Sequence, residues 1–145
     1  MEEKFKYGKF TDIIIGTFYE VYNELGFGFL ESVYEEAMLI ALREKGLKVE
    51  QQIPIAVWFR GSKIGNFEAD LIVENVIIIE LKAVRALDEA HQAQLLNYLR
   101  ATEIEVGLLL NFGHRPEFKR LAFDNQRKKQ HQNSKSLIEN LLSED

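Results

Sequence analysis

Asp70, Glu80 and Lys82 are the residues of this 145-residue chain whose types and spacing could carry out a reaction. Glu80 and Lys82 lie two positions apart in the run Val76–Val84, VIIIELKAV, and alternate side chains of a strand share a face. The four β-branched residues before Glu80 read as a strand crossing an apolar core, so its acid and base leave water on folding. Two carboxylates held close repel each other unless a proton or a cation lies between them. Oxygen ligands of this kind suit Mg²⁺ or Mn²⁺, which keep several waters and need few protein oxygens. A lysine beside such an ion can orient a water or stabilise charge developing on a phosphate.

Whether Asp70 joins the pair depends on the turn before Val76. A two-residue Glu74-Asn75 loop sends Asp70 to the face opposite Glu80. A three-residue loop, Glu74 to Val76, sets Asp70 across from Glu80 and Ile72 across from Ile78. Leu71, Val73, Ile77, Ile79 and Leu81 then occupy the other face. That register sorts the polar residues to one side, and the absence of Asn-Gly or Asp-Gly also favours the longer loop. The plainer alternative is a structural ion pair of Lys82 with Glu80, or with Glu68 across the strand.

The elements that must position these groups follow from periodicity. Ile14, Phe18, Val21, Tyr22 and Leu25 recur at helical spacing over residues 10–25, and Gly26 and Gly28 interrupt the pattern. A second helix over 29–45 repeats Leu30, Val33, Tyr34, Ala37, Met38, Ala41 and Leu42, with Gly46 as its stop. Glu31 and Glu35 lie near its apolar face, so one acid can point inward. Strand signals cover 49–59, 64–73 and 76–84, and their short turns require an antiparallel meander. Asp88 is the expected N-cap of a third helix, on which His91, Gln94 and Tyr98 share a stripe. VGLLLNFG, 106–113, reads as a fourth strand. After Pro116 come a short amphipathic piece, a polar tail from about residue 124, and a weak helix at SLIENLL. A single domain spanning 1–145 accounts for the pattern, with no repeat.

Composition bounds the function. The chain is 46% hydrophobic and 11% aromatic, which suits one globular core. It has no cysteine, so disulfides and thiolate metal sites are excluded, and a reducing cytoplasm is the expected compartment. No apolar run approaches a membrane span. The net charge of −5 argues against coating nucleic acid by bulk attraction. Residues 112–135 nevertheless carry seven basic side chains (Arg115, Lys119, Arg120, Arg127, Lys128, Lys129, Lys135) against two acids, Glu117 and Asp124. That segment reads either as a solvated charged stretch or as a phosphate-facing patch.

With these residues in place the chain resembles the PD-(D/E)XK nuclease superfamily, and within it the GxxExxY protein family. The signature stands as Gly28-Phe-Leu-Glu31-Ser-Val-Tyr34. The superfamily motif stands as Ala69-Asp70, nine intervening residues, then Glu80-Leu81-Lys82, followed by Gln94-Leu-Leu-Asn-Tyr98, which is similar to the QxxxY motif of RecB-like nucleases. Alanine replaces the proline of the motif name.

The resemblance covers roughly residues 10–120. It implies an α/β, restriction-endonuclease-like αβββαβ core with a mixed central sheet between helices. It further implies Mg²⁺- or Mn²⁺-dependent hydrolysis of phosphodiester bonds in DNA. On that basis Asp70, Glu80, the Leu81 carbonyl and Glu31 would ligate the ion, and Lys82 would position the attacking water. Gln94 and Tyr98 would brace the lysine or contact the DNA backbone. From the charge pattern rather than the resemblance, Arg115, Lys119 and Arg120 of the basic segment are the expected substrate-binding residues. DNA is the expected partner, with a homodimer or a protein partner as a further possibility. The alternative function is a catalytically silent nuclease-fold module that serves a nucleic-acid enzyme.

Overall fold

The structure, a computed structural model, describes residues 6–128. In chain order the elements are α1 (Gly8–Leu25), α2 (Glu31–Glu44), β1 (Val49–Phe59), β2 (Ser62–Val73), β3 (Ile77–Lys82), α3 (Glu89–Arg100), β4 (Val106–Phe112) and β5 (Pro116–Ala122). The strands form one sheet in the order β1-β2-β3-β4-β5. All neighbours are antiparallel except β3 and β4, which run parallel because α3 crosses over between them.

Each face of the sheet has its own core. Ile14, Phe18 and Val21 of α1 and Tyr34, Met38 and Leu42 of α2 pack on the face carrying Leu71, Val73, Ile77, Ile79 and Leu81. These five strand residues are the set that the three-residue loop sorts together. An aromatic cluster ties the layers: Tyr34 stacks on Phe112 at 4.1 Å, and Phe18 meets that ring edge-on at 4.9 Å. On the opposite face Leu95 and Leu99 of α3 pack against Ile55, Ile72, Ile78 and Leu109. Helix and strand approach closely there, since a Cβ at Gly107 would lie 2.9 Å from a Leu95 methyl. Asp88 caps α3 as expected, accepting from the His91 N–H, while His91 Nδ1 accepts from the Asp88 N–H. His91 is thus committed to the cap.

Two expectations are corrected. The amphipathic piece after Pro116 is a fifth strand, and its alternation is blurred because it is an edge strand that buries no residue fully. The described residues of the basic stretch do not form one patch. Lys119 and Arg120 are consecutive on β5 and so point to opposite faces. Arg120 donates to the Lys6 carbonyl, and Arg127 lies over the Phe123 ring at 4.8 Å. Lys128 is buried and donates to the carbonyls of Thr102 and Ile104, and burial holds its pKa down at about 8. Lys129, Lys135, the SLIENLL helix and most of the polar tail lie outside the described residues.

Candidate active site

The chemistry-bearing residues sit where the sheet forks. The β2–β3 ladder pairs Val73 with Ile77, Ile72 with Ile78 and Leu71 with Ile79. That register is the one set by a Glu74–Val76 loop, in which Glu74 and Asn75 take φ of 52° and 60°. At the next level, Asp70 and Glu80, side chains replace the ladder. The Asp70 N–H donates to Glu80 Oε2 at 2.9 Å, and the Leu81 N–H donates to Asp70 Oδ2 at 2.8 Å. Beyond this level β2 pairs with β1 alone, as a two-stranded ribbon out to Phe59 and Ser62.

The β1–β2 pair also changes face at this level. Val49, Leu71 and Val73 belong to the α1/α2 core, whereas Ile53, Ile55, Phe67 and Ala69, of the same parity, pack on the α3 side. Gln52, opposite Asp70, carries the irregularity with a φ of 51°. A left-handed residue inside a strand is costly and is maintained only where its surroundings fix it. Here they do: Gln51 and Gln52, neighbours that a regular strand would separate, both donate to the Glu35 carboxylate, at 2.6 and 2.7 Å.

Burial and crowding of negative charge dominate the electrostatics. Glu80 is 6% exposed, and burial, followed by the Asp70 charge, raises its pKa to about 8. Asp70 is also raised, first by burial; the Leu81 N–H and the Lys82 charge oppose the shift, while Glu31 adds to it. Glu35 is raised by burial and by Asp70, against its hydrogen bonds from Gln51 and Gln52. Tyr98 is raised by burial and by the charges of Glu80 and Asp70. Four groups from β2, β3, α2 and α3 therefore register one concentration of negative charge.

The structure thus brings Asp70 and Glu80 together, with the Lys82 charge acting on both. Neither Glu80 nor Glu68 takes Lys82 as an ion-pair partner among the described residues, so the structural-pair alternative is not the arrangement found. Tyr98 lies against the site, stacked on Phe67 at 3.4 Å, with the Gln94 side chain at its hydroxyl. Leu81 presents its N–H to Asp70.

Glu31 stands exposed in the first turn of α2, and the acid that α2 turns inward is Glu35. The family resemblance assigns the ligand role to Glu31, whereas the inward acid is Glu35, and sequence reasoning missed Gln52. The available signal was the polar pair Gln51-Gln52 inside a strand that follows a helix with an acid, Glu35, on its apolar face. Arg115 lies in the β4–β5 turn, at the C-terminal end of β4. Lys119 shares the row of Glu80 through Leu109, two strands away, and Arg120 is on the other face; these two do not converge with the acids.

Among the described residues no group of three His, Cys, Asp or Glu is arranged to hold a metal ion. The pair nonetheless fits a hard divalent cation. Mg²⁺ is commonly held by one or two carboxylates with water completing the shell, and Asp70 and Glu80 are two oxygen donors at one level of the fork. A Glu80 that takes up a proton near pH 8 shows the surplus of negative charge that a cation would offset.

A family model described as the PD-(D/E)XK nuclease superfamily matches residues 8–121. Among solved structures, the crystal structure of SSO0001 matches with a TM-score of 0.51 at 17% sequence identity. The match covers 73% of this chain and 57% of that one, so this chain spans little more than half of that protein's length. At such identity the likeness shows the fold: a mixed five-stranded sheet flanked by helices. No curated protein matches.

Proposed function

This chain belongs to the PD-(D/E)XK nuclease superfamily, and from that premise we propose that it is a Mg²⁺- or Mn²⁺-dependent nuclease that hydrolyses phosphodiester bonds in DNA. The observation that carries the reading is the reciprocal Asp70–Glu80 contact across the fork, with Lys82 one alternation further on.

Asp70 and Glu80 are the residues that would hold the ion, and the exposed Glu31 adds its charge to Asp70. When bound, the ion polarises a phosphate oxygen and makes water a better nucleophile. The protein's own groups supply the rest. The Asp70 and Leu81 N–H groups each fix one carboxylate oxygen, which preorganises the pair before substrate arrives. Lys82, half-buried and outside any ion pair among the described residues, can donate to the attacking water or to the phosphate oxygen on which charge grows. Tyr98, whose hydroxyl stays protonated at neutral pH, can donate to a backbone phosphate, braced by Gln94. In the reaction a water oxygen bonds to phosphorus as the opposite P–O bond breaks, and the leaving oxygen takes up a proton.

The test is incubation of the purified protein with labelled single-stranded, duplex and branched DNA plus Mn²⁺. Cleavage by wild type and none by Lys82→Ala is expected. The lack of a three-acid group among the described residues favours one other reading, a silent nuclease-fold module that binds nucleic acid for a partner enzyme. Cleavage of no substrate, or equal cleavage by the Lys82→Ala protein, would leave that second reading standing.

A further inference from the structure

A cleft of about 540 Å³ opens between the β3–α3 loop and the β4–β5 turn, lined by Arg85, Ala86, His114, Arg115, Pro116 and Glu117. It lies at the C-terminal ends of the parallel strands β3 and β4, three residues past Lys82. Its two walls are the β3–α3 loop and the β4–β5 turn, which are fastened together by backbone contacts. Asn111 donates to the Val84 carbonyl and accepts from the Val84 N–H, both at 2.9 Å. Glu117 accepts from the Leu87 N–H at 3.0 Å. Gly113 passes so close that a Cβ there would lie 2.4 Å from the Val84 carbonyl oxygen. Tyr22 of α1 holds the turn from below, its hydroxyl 2.7 and 2.8 Å from the carbonyls of Gly113 and His114. The cleft is therefore built in advance of any ligand.

Its charged lining is two arginines, Arg85 and Arg115, against one acid, Glu117, whose Oε1 is held by the Leu87 N–H. Arg85 and Arg115 are exposed, and no ion pair or hydrogen bond engages either guanidinium among the described residues. With Glu117 counted against them, these two uncommitted guanidiniums still leave the lining net positive in a protein of net charge −5. Planar guanidinium groups bind phosphate through paired N–H donors.

The rim adds a second feature. The α1–α2 loop carries Phe27 and Phe29, 53% and 48% exposed. The Phe27 ring packs on that of His114 at 4.4 Å, which places it at the mouth of the cleft. Phe29 is fixed by an edge contact to Tyr34 and by its N–H to the Tyr34 hydroxyl. Aromatic rings beside backbone-binding cations are the arrangement that holds a strand whose base faces are free. In a duplex those faces are stacked and out of reach.

We propose that this cleft binds the backbone of an unpaired DNA strand, with Phe27 and Phe29 as the surface on which its bases stack. The inference rests on the nuclease reading, which it deepens by stating the form of the substrate that enters the acidic fork. The strand runs from the aromatic loop past Arg85 and Arg115 to Lys82.

The experiment measures binding apart from cleavage, by fluorescence anisotropy of short labelled single-stranded and duplex DNA in EDTA. The single strand should bind roughly tenfold more tightly than the duplex. Arg85→Ala and Arg115→Ala should each flatten the dependence of log affinity on log salt by about 0.7. Phe27→Ala should weaken single-strand binding roughly fivefold or more, and Lys9→Ala, at an exposed position on α1, should change nothing. Arg115→Glu is a second variant at the same position and should abolish binding, with its thermal melt confirming the fold. Equal affinity for duplex and single strand, or wild-type binding by the Arg85, Arg115 and Phe27 variants, overturns the proposal. Cleavage in Mn²⁺ is scored separately. Selective single-strand binding without cleavage would overturn the nuclease reading and leave the cleft, whereas cleavage unaffected by these variants would do the reverse.

Discussion

Glu80→Gln should make the protein more stable at pH 8 while leaving it nearly unchanged at pH 5. Burial and Asp70 raise the Glu80 carboxyl from 4.5 to about 8, so between those values the folded state binds a proton that the unfolded state has released. Stability then falls as pH rises through that window, with a slope of about 1.36 kcal/mol per pH unit. From pH 5 to pH 7.5 the loss from this one group is about 3 kcal/mol, a large part of the ~5–15 kcal/mol typical of a domain. Glutamine keeps the shape and still accepts from the Asp70 N–H, but it carries no charge to bury. Urea denaturation in EDTA at half-unit intervals of pH measures the effect. Wild type should weaken steadily between pH 5 and pH 8, and the variant should show a much flatter profile that crosses above it. Mn²⁺ should restore the high-pH stability of wild type and do little for the variant, because a cation favours the ionised pair. Parallel pH profiles for the two proteins, or a variant less stable at every pH, would refute the reasoning.

Other substitutions test other links. Lys82→Ala should lower cleavage by roughly 10²–10³ in single-turnover assays while preserving the Mn²⁺-dependent rise in melting temperature, since the lysine is not a ligand. Tyr34→Phe should cost on the order of 1–2 kcal/mol in urea denaturation, because its hydroxyl donates to the Gly26 carbonyl at 2.6 Å and accepts from the Phe29 N–H. Gly113→Ala should destabilise by roughly 1–3 kcal/mol, as the new methyl meets the Val84 carbonyl and pushes the cleft walls apart. Its single-strand affinity should fall with its melting temperature.

Much of this was legible in the sequence because it followed from parity and periodicity. One count of loop residues, Glu74 to Val76, fixed which strand side chains face α2 and which face α3, and it set Asp70 opposite Glu80. Helix positions followed from apolar spacing, and the α3 start from Asp88. What escaped depended on departures from those rules. β5 has an edge strand's mixed surface, so its alternation gave no clear signal. The choice between Glu31 and Glu35 turned on the left-handed Gln52, whose conformation no local pattern requires. The burial of Lys128 follows from carbonyl acceptors in a distant turn, which composition cannot foresee.

At the Asp70–Glu80 level, two side-chain contacts do the work that backbone pairing does elsewhere in the sheet. The same two carboxylates serve as mechanical rivets and as reactive equipment. Each keeps a second oxygen for an ion, so filling the site acts on the seam between β2 and β3 without cutting its two contacts. The Leu81 amide is therefore a natural gauge: its hydrogen-exchange rate reads site occupancy and seam motion in one signal.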